Sequence, residues 1–188
     1  MNQDSPNKRT FFWIILAYPF VLLLLGVLAN LFLFGVEPVV IALPALPVLA
    51  SLATAAVLLL VNHAWLMTGT ELTRLKYDMH ATPEEWAASG RAKEKVSTKG
   101  LEELDRHHKA HNNATENIVY FVLFALLVGI VTPVVLAAQV WIVGFAVGRL
   151  GHTFSYLSGR DDLRSIFMSV SLVSLGGLAS YTVIALLI

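Results

Sequence analysis

Cysteine is absent from the 188 residues, which excludes disulfides, Cys-x-x-Cys redox pairs, thiolate metal sites and a cysteine nucleophile. Any sulfur chemistry therefore belongs to a bound small molecule. Charge is scarce too. Only 14% of the residues are Asp, Glu, Lys or Arg, where a water-soluble domain carries about 25%. Thirteen basic residues balance thirteen acidic ones, so the chain lacks the basic excess of a nucleic-acid binder. Apolar bulk takes the place of charge: 56% of the side chains are hydrophobic and the mean hydropathy is +0.69.

That bulk comes in runs. Residues 10–36, 38–70, 117–148 and 165–188 contain no Asp, Glu, Lys or Arg, and a helix across a bilayer takes roughly 20 such residues. With polar flanks allowed and a break at Thr132–Pro133, the pattern predicts five spans at about 11–35, 45–72, 108–130, 134–157 and 165–187. Pro38, Pro44 and Pro47 place the start of the second helix near Leu46. The first run is too long for a cleaved leader and lacks a small-x-small cleavage site, so it reads as a retained helix. The expected fold is an all-α integral membrane protein in two parts. Residues 1–36 form an N-terminal cytoplasmic tail and an extra helix; residues 37–188 form a four-helix membrane domain with a cytoplasmic loop at about 77–107.

Five spans put every Lys and Arg on one side. Lys8 and Arg9 precede the first helix, eight bases fall between residues 74 and 109, and Arg149, Arg160 and Arg164 surround the last turn. The positive-inside rule makes this side cytoplasmic and the C-terminus opposite to it. Glu37 is the one charge left for the far side. Within the loop, Thr82-Pro-Glu-Glu85 reads as a helix start with proline in the first turn.

Ionisable groups on membrane helices cost free energy unless paired or hydrated, so they mark functional candidates. Lys109, Asn113 and Glu116 share one helical stripe, and Arg149, His152 and Tyr156 share another. Arg164 and Ser165 open the fifth helix after Asp161, with Ser169 one turn deeper, and Arg74 ends the second at the same level. Three arginines and a lysine against one glutamate describe a cationic pocket for a small polyanion at the membrane edge. Arg160 is expected to reach lipid headgroups. Gly144 and Gly148 suggest close helix packing; Trp13, Trp65 and Trp141 suggest interfacial or lipid-facing anchors. His107 and His111 stand four residues apart, but without a supporting carboxylate no native metal is expected. His63, alone in its apolar helix, is expected to hydrogen-bond inside the bundle.

These residues resemble the MAPEG family, the membrane-associated proteins in eicosanoid and glutathione metabolism. Lys109-Ala-His-Asn-Asn-Ala-Thr-Glu116 is similar to the family's R-x-x-x-N-x-x-E motif. Gly148-Arg-Leu-Gly-His-Thr-Phe-Ser-Tyr156 resembles the G-R-x-x-H-T-x-x-Y motif of its prostaglandin E synthase branch, and Leu163-Arg-Ser165 the Arg-Ser that follows it. Arg74 precedes Thr82-Pro-Glu-Glu85 at that branch's spacing, and the likeness extends over about residues 40–188. It implies a four-helix bundle assembled as a homotrimer, with glutathione bound between subunits on the cytoplasmic side. By the same resemblance Glu116 takes the tripeptide's ammonium. Arg74 and Arg149, with Lys109, Asn113 and His152, serve its carboxylates or their orienting network, and Arg164, Ser165 and Tyr156 face the thiol.

The chain departs from the family pattern where Lys109 replaces the motif's first Arg, Asn112 a second Arg and Ala114 an Asp. The resemblance thus implies a glutathione-dependent membrane transferase or peroxidase, with glutathione as co-substrate and lipophilic electrophiles or lipid hydroperoxides entering from the bilayer. A non-catalytic glutathione-binding membrane protein of the same fold stands as the alternative. A haem or metal electron carrier using His63, His111 and His152 is a third class.

Overall fold

Lipid offers a backbone amide no partner outside its own segment, so each apolar run closes its hydrogen bonds as a helix. The computed structural model describes residues 6–188, and the first five residues of the expected N-terminal tail lie outside the described residues. Six α-helices follow one another: α1 Pro6–Ala29, α2 Leu46–Lys76, α3 Pro83–Ser89, α4 Thr98–Ile130, α5 Val135–Leu157 and α6 Asp161–Leu187. No strand occurs among the described residues. Five helices, all but α3, are long and apolar enough to cross a membrane.

The boundaries have local causes. α1 runs on into a π-helical turn, Asn30–Phe34, and stops at Gly35, whose φ of 79° favours glycine. Pro47 stands in the first turn of α2, where its missing N–H costs nothing. The side chains of Thr82 and Glu85 form a reciprocal capping box at α3, which ends on the left-handed Gly90. α4 begins ten residues before the predicted 108, because the Ser97 hydroxyl caps it by accepting the Gly100 N–H at 3.2 Å. Hydropathy sees only the part of a helix that suits lipid, so the polar turns 98–107 read as loop. At the far end, Thr132 adopts a φ of 47° and its hydroxyl donates to the Val40 carbonyl at 2.8 Å, tying the 35–45 connection to the α4–α5 turn.

Helices in lipid gain little from hiding apolar surface, so close approach through small residues matters most. Gly148 of α5 lies against the Ser171 backbone of α6, and Gly144 faces the Ser174 hydroxyl, as the Gly144/Gly148 spacing predicts. A stack of Phe121 on Phe145, with ring centroids 4.2 Å apart and planes 2° from parallel, joins α4 to α5. The main apolar core, from Val48 and Leu59 to Phe145 and Leu178, fills the half of the bundle remote from α3. A smaller one, Leu66 with Ala110 and Ala114, closes the α3 end against Tyr156 and Leu157. Along the chain, the buried residues between these clusters include Asn62 on α2 and Arg149, His152 and Thr153 on α5. The bundle therefore holds a polar layer between two apolar ones.

Two expectations are corrected. Trp141 is no lipid-facing anchor: it is buried, and its indole N–H donates to the Asn30 Oδ1 at 2.8 Å. The room comes from Gly177, where any Cβ would strike the indole. His63 is exposed rather than bonded inside the bundle, and its ring meets that of His111 edge-on at 5.3 Å. Trp13 and Trp65 are exposed, as anchors require.

Candidate functional site

Arg149 is the centre of the site. Its stripe on α5 faces inward, and the side chain is 0% exposed, the largest fully buried one among the described residues. A buried guanidinium needs acceptors, and this one has few. Nη2 donates to the Asn113 Oδ1 on α4 at 2.7 Å, Nη1 approaches the Met168 sulfur on α6 at 3.5 Å, and Nε has no partner. No carboxylate pairs with it among the described residues. A fixed, under-satisfied cation inside a membrane bundle is a standing demand for an anion.

The stripe continues toward the end of the bundle that carries α3. His152 is buried one turn beyond Arg149 with Nδ1 unpartnered, and its ring lies 5.7 Å from that of Tyr156. Over the Tyr156 ring, at 5.2 Å, sits the Arg164 guanidinium from the first turn of α6, which also pairs with Asp161 at 3.1 Å. The left-handed Gly159, at φ 67°, turns the chain between α5 and α6 and so lets the two helices present these groups to each other. Asn113, Arg149, His152, Tyr156 and Arg164 thus form one continuous line from the buried layer to the helix end. The arrangement can bind an extended anionic ligand and hold a second negative group beside Arg164.

The other sequence-predicted residues lie apart from this line within the protomer. Arg74 pairs with Glu71 and places Nη2 3.4 Å from the His108 Nε2, while its Nε is buried without a partner. It borders a cavity of about 530 Å³ beneath the 78–96 connection, lined also by His80, Trp86, Lys93 and His108. Lys109 is exposed and pairs with Asp105 at 2.6 Å, so it does not join Asn113 and Glu116. Glu116 is exposed on the outside of α4, with no ion pair among the described residues. Ser165 is exposed, and its hydroxyl donates to the Asp162 carbonyl of its own helix at 2.8 Å. Arg160 is exposed and lies over the Phe154 ring at 5.4 Å.

Sequence reasoning missed Asn62 and Met168, and gave Thr153 no role beyond its place in the 148–156 motif. Asn62 is 0% exposed with both amide atoms unpartnered, and the Thr153 hydroxyl is likewise buried and unpartnered. Asn62 carried a readable signal, a buried-type amide in a run without charge; Met168, four residues after Arg164, carried none. Among the described residues no three His, Asp or Glu side chains are grouped to hold an ion.

A family model described as the MAPEG family matches residues 52–184. Among curated proteins, microsomal glutathione S-transferase 1 of Rattus norvegicus is 30% identical over 112 residues, covering 59% of this chain and 72% of the relative. The mouse protein of the same name, from Mus musculus, is 31% identical over 114 residues with the same coverage. The motif stripes, the membrane helices and a match across most of the chain agree: this protein belongs to the MAPEG family.

Proposed function

We propose that the chain is a glutathione-dependent membrane transferase that conjugates lipophilic electrophiles. The observation that carries this reading is Arg149, buried with no counter-charge among the described residues and held by Asn113, at the head of a line that ends in Tyr156 and Arg164. Glutathione brings two carboxylates, an ammonium and a thiol. Arg149 and Arg74 take the carboxylates, with Asn113 and His152 orienting Arg149, and Glu116 takes the ammonium. Lys109 contributes long-range positive charge from the same end.

A free thiol has a pKa of about 8.5 and its thiolate is the nucleophile. Lowering that pKa by two units needs only about 2.7 kcal/mol of differential interaction. Arg164 supplies charge, Tyr156 and Ser165 supply hydroxyls, and the N-terminus of α6 adds its dipole. The thiol proton leaves to water and the sulfur lone pair forms the carbon–sulfur bond. The leaving group departs with the electron pair of the bond it breaks, and Tyr156 donates to it. With a lipid hydroperoxide the same thiolate attacks oxygen instead, giving an alcohol and an oxidised sulfur that a second glutathione reduces.

Glu116 on the outer face of α4 supports assembly, because a lone carboxylate facing lipid is costly. In a homotrimer a neighbouring copy covers that face, and Arg74 and Glu116 of adjoining copies close one glutathione site. The basic end is cytoplasmic, which delivers glutathione from water and the electrophile from the bilayer.

Ultraviolet absorbance of the thiolate, titrated against pH in detergent, tests the reading in wild type and Arg164→Ala. Native mass at three times the 20.6 kDa chain is expected for both. Wild type shifts the thiolate titration to lower pH and conjugates chlorodinitrobenzene, and Arg164→Ala loses the shift. Equal titrations remove Arg164 from thiol activation. A second reading, binding without turnover, draws on the Ser165 hydroxyl donating into its own helix and on Lys109 engaging Asp105. Calorimetric binding of glutathione with no conjugation of any electrophile in a panel decides for it.

A further inference from the structure

Within the protomer, the cavity beside Arg74 shares no lining residue with the Arg149 line. It lies between the end of α2, the first turns of α4 and the 78–96 connection that carries α3, and its volume is about 530 Å³. Small-molecule sites have this size and combine apolar walls with a few polar groups. Leu101, Leu104 and His108 reach it together because they share one stripe of α4. The polar turns that begin α4 thus supply a wall. Buried Met79, Val96 and the Trp86 indole make the opposite side apolar.

The polar lining is all basic: Arg74, His80, Lys93 and His108, with no Asp or Glu among the described residues that line it. Carboxylates nearby are already engaged. Glu71 pairs with the Arg74 Nη1, Glu85 accepts the Ala81 and Thr82 N–H groups, and Glu103 accepts from Lys76 and Tyr77. Two nitrogens are left over. The Arg74 Nε and the His80 Nε2 are buried without partners among the described residues, and both side chains line the cavity. His80 is held in place, its ring edge-on to that of Trp86 at 4.9 Å and its carbonyl accepting the Trp86 indole N–H at 3.0 Å. A buried donor without an acceptor costs free energy, and two of them on one cavity call for an acceptor with two oxygens. Lys93 is exposed and forms no ion pair among the described residues, so its charge attracts anions to the site.

We propose that this cavity binds a second ligand, an organic monocarboxylate with a compact apolar body. Its two oxygens take one donor each, the Arg74 Nε–H and the His80 Nε2–H, and its body packs on Trp86, Leu101 and Leu104. A phosphate dianion fits less well, because Glu71 and Glu85 offset part of the positive charge. A purely apolar ligand would leave both nitrogens bare. The connection lies outside the five membrane-crossing helices, so the ligand comes from water. The site goes beyond the glutathione reading and stands without it, since His80, Lys93 and Trp86 have no part there.

Calorimetry of the full chain in lipid nanodiscs, with empty nanodiscs subtracted, tests this with 2-naphthoate as the probe. 2-Naphthamide has the same shape without the charge, and acetate has the charge without the body. Wild type is expected to bind naphthoate, to bind the amide at least about tenfold more weakly, and to give no signal with acetate. His80→Phe keeps a ring against Trp86 and removes the donor, so naphthoate binding weakens by about tenfold. Lys93→Gln, at an exposed position, weakens it by about threefold at low salt and equals wild type at high salt. Saturating glutathione leaves the naphthoate titration in place. Absent binding in wild type, or an amide that binds as tightly as the carboxylate, overturns the proposal. So does unchanged affinity in His80→Phe or, should that variant not fold, in Lys93→Gln. Displacement by glutathione overturns it as well, because the cavity is then part of the glutathione site. If naphthoate binds as described and glutathione does not bind at all, the functional reading falls and this site stands.

Discussion

At the scale of single residues the proposed function turns on Arg149. Its side chain is wholly buried, yet among the described residues its terminal nitrogens meet only one amide oxygen and one thioether. A hydrogen bond to a charged group is worth about 1.5–3 kcal/mol, so Asn113 is the residue that holds the guanidinium in place. Asn113→Leu removes that acceptor and is expected to weaken glutathione binding by roughly ten- to a hundredfold. Asn113→Asp keeps an acceptor oxygen and is expected to retain the fold, while its added charge competes with the ligand's carboxylate and weakens binding less. Calorimetric titration of the two variants measures this. Equal affinity for Asn113→Leu and wild type would show that Arg149 is positioned by something else. The Arg149 stripe was legible because helical spacing alone brings residues 149, 152 and 156 to one face. The burial of Trp141 was not, since its partner, Asn30, stands 111 positions earlier on a different helix.

Elements were legible where residues carry the end signals. The box at α3 follows from Thr82-Pro-Glu-Glu85, and the break before α5 follows from Pro133. The start of α4 was missed because its first ten residues are polar, and a hydropathy pattern reports the solvent of a helix rather than its length. The α3 cap gives a pH prediction. The exposed Glu85 carboxylate accepts the Ala81 N–H at 2.8 Å and the Thr82 N–H at 3.4 Å. These backbone donors hold its pKa below the usual carboxylate value, and His80 and Arg74 act in the same direction. A carboxylate whose folded-state pKa is depressed stabilises fully above its unfolded value, and the stabilisation is lost as pH falls through the folded one. Amide protection across residues 82–90, measured by hydrogen exchange, is therefore expected to drop on acidification. In Glu85→Gln it starts lower and stays level over the same range. A wild-type profile as flat as that of Glu85→Gln would remove the carboxylate from the cap.

For the whole molecule, the distribution of charge carries more than any single contact. Five helices crossing a bilayer gather every Lys and Arg at one end and leave Glu37 at the other, an asymmetry that an even number of spans would destroy. The sequence made this readable because the spans are separated by proline, glycine or charge; how the helices pack is set by contacts such as Gly26 on Gly177, which no local pattern announces. The same asymmetry decides where the chemistry faces, since Arg149, Tyr156 and Arg164 all lead toward the basic end. Bases near the cytoplasmic leaflet are favoured and their transfer across the bilayer is not, so the basic end is expected to be cytoplasmic. The absence of cysteine makes the chain a ready background for labelling. Glu37→Cys, beyond the first helix, is expected to react with a membrane-impermeant maleimide in intact cells. Lys93→Cys, in the 3₁₀ turn Lys93–Lys95 at the opposite end, is expected to react only after permeabilisation. Labelling of Lys93→Cys in intact cells would invert the molecule, and with it the proposed arrival of glutathione from the cytoplasm.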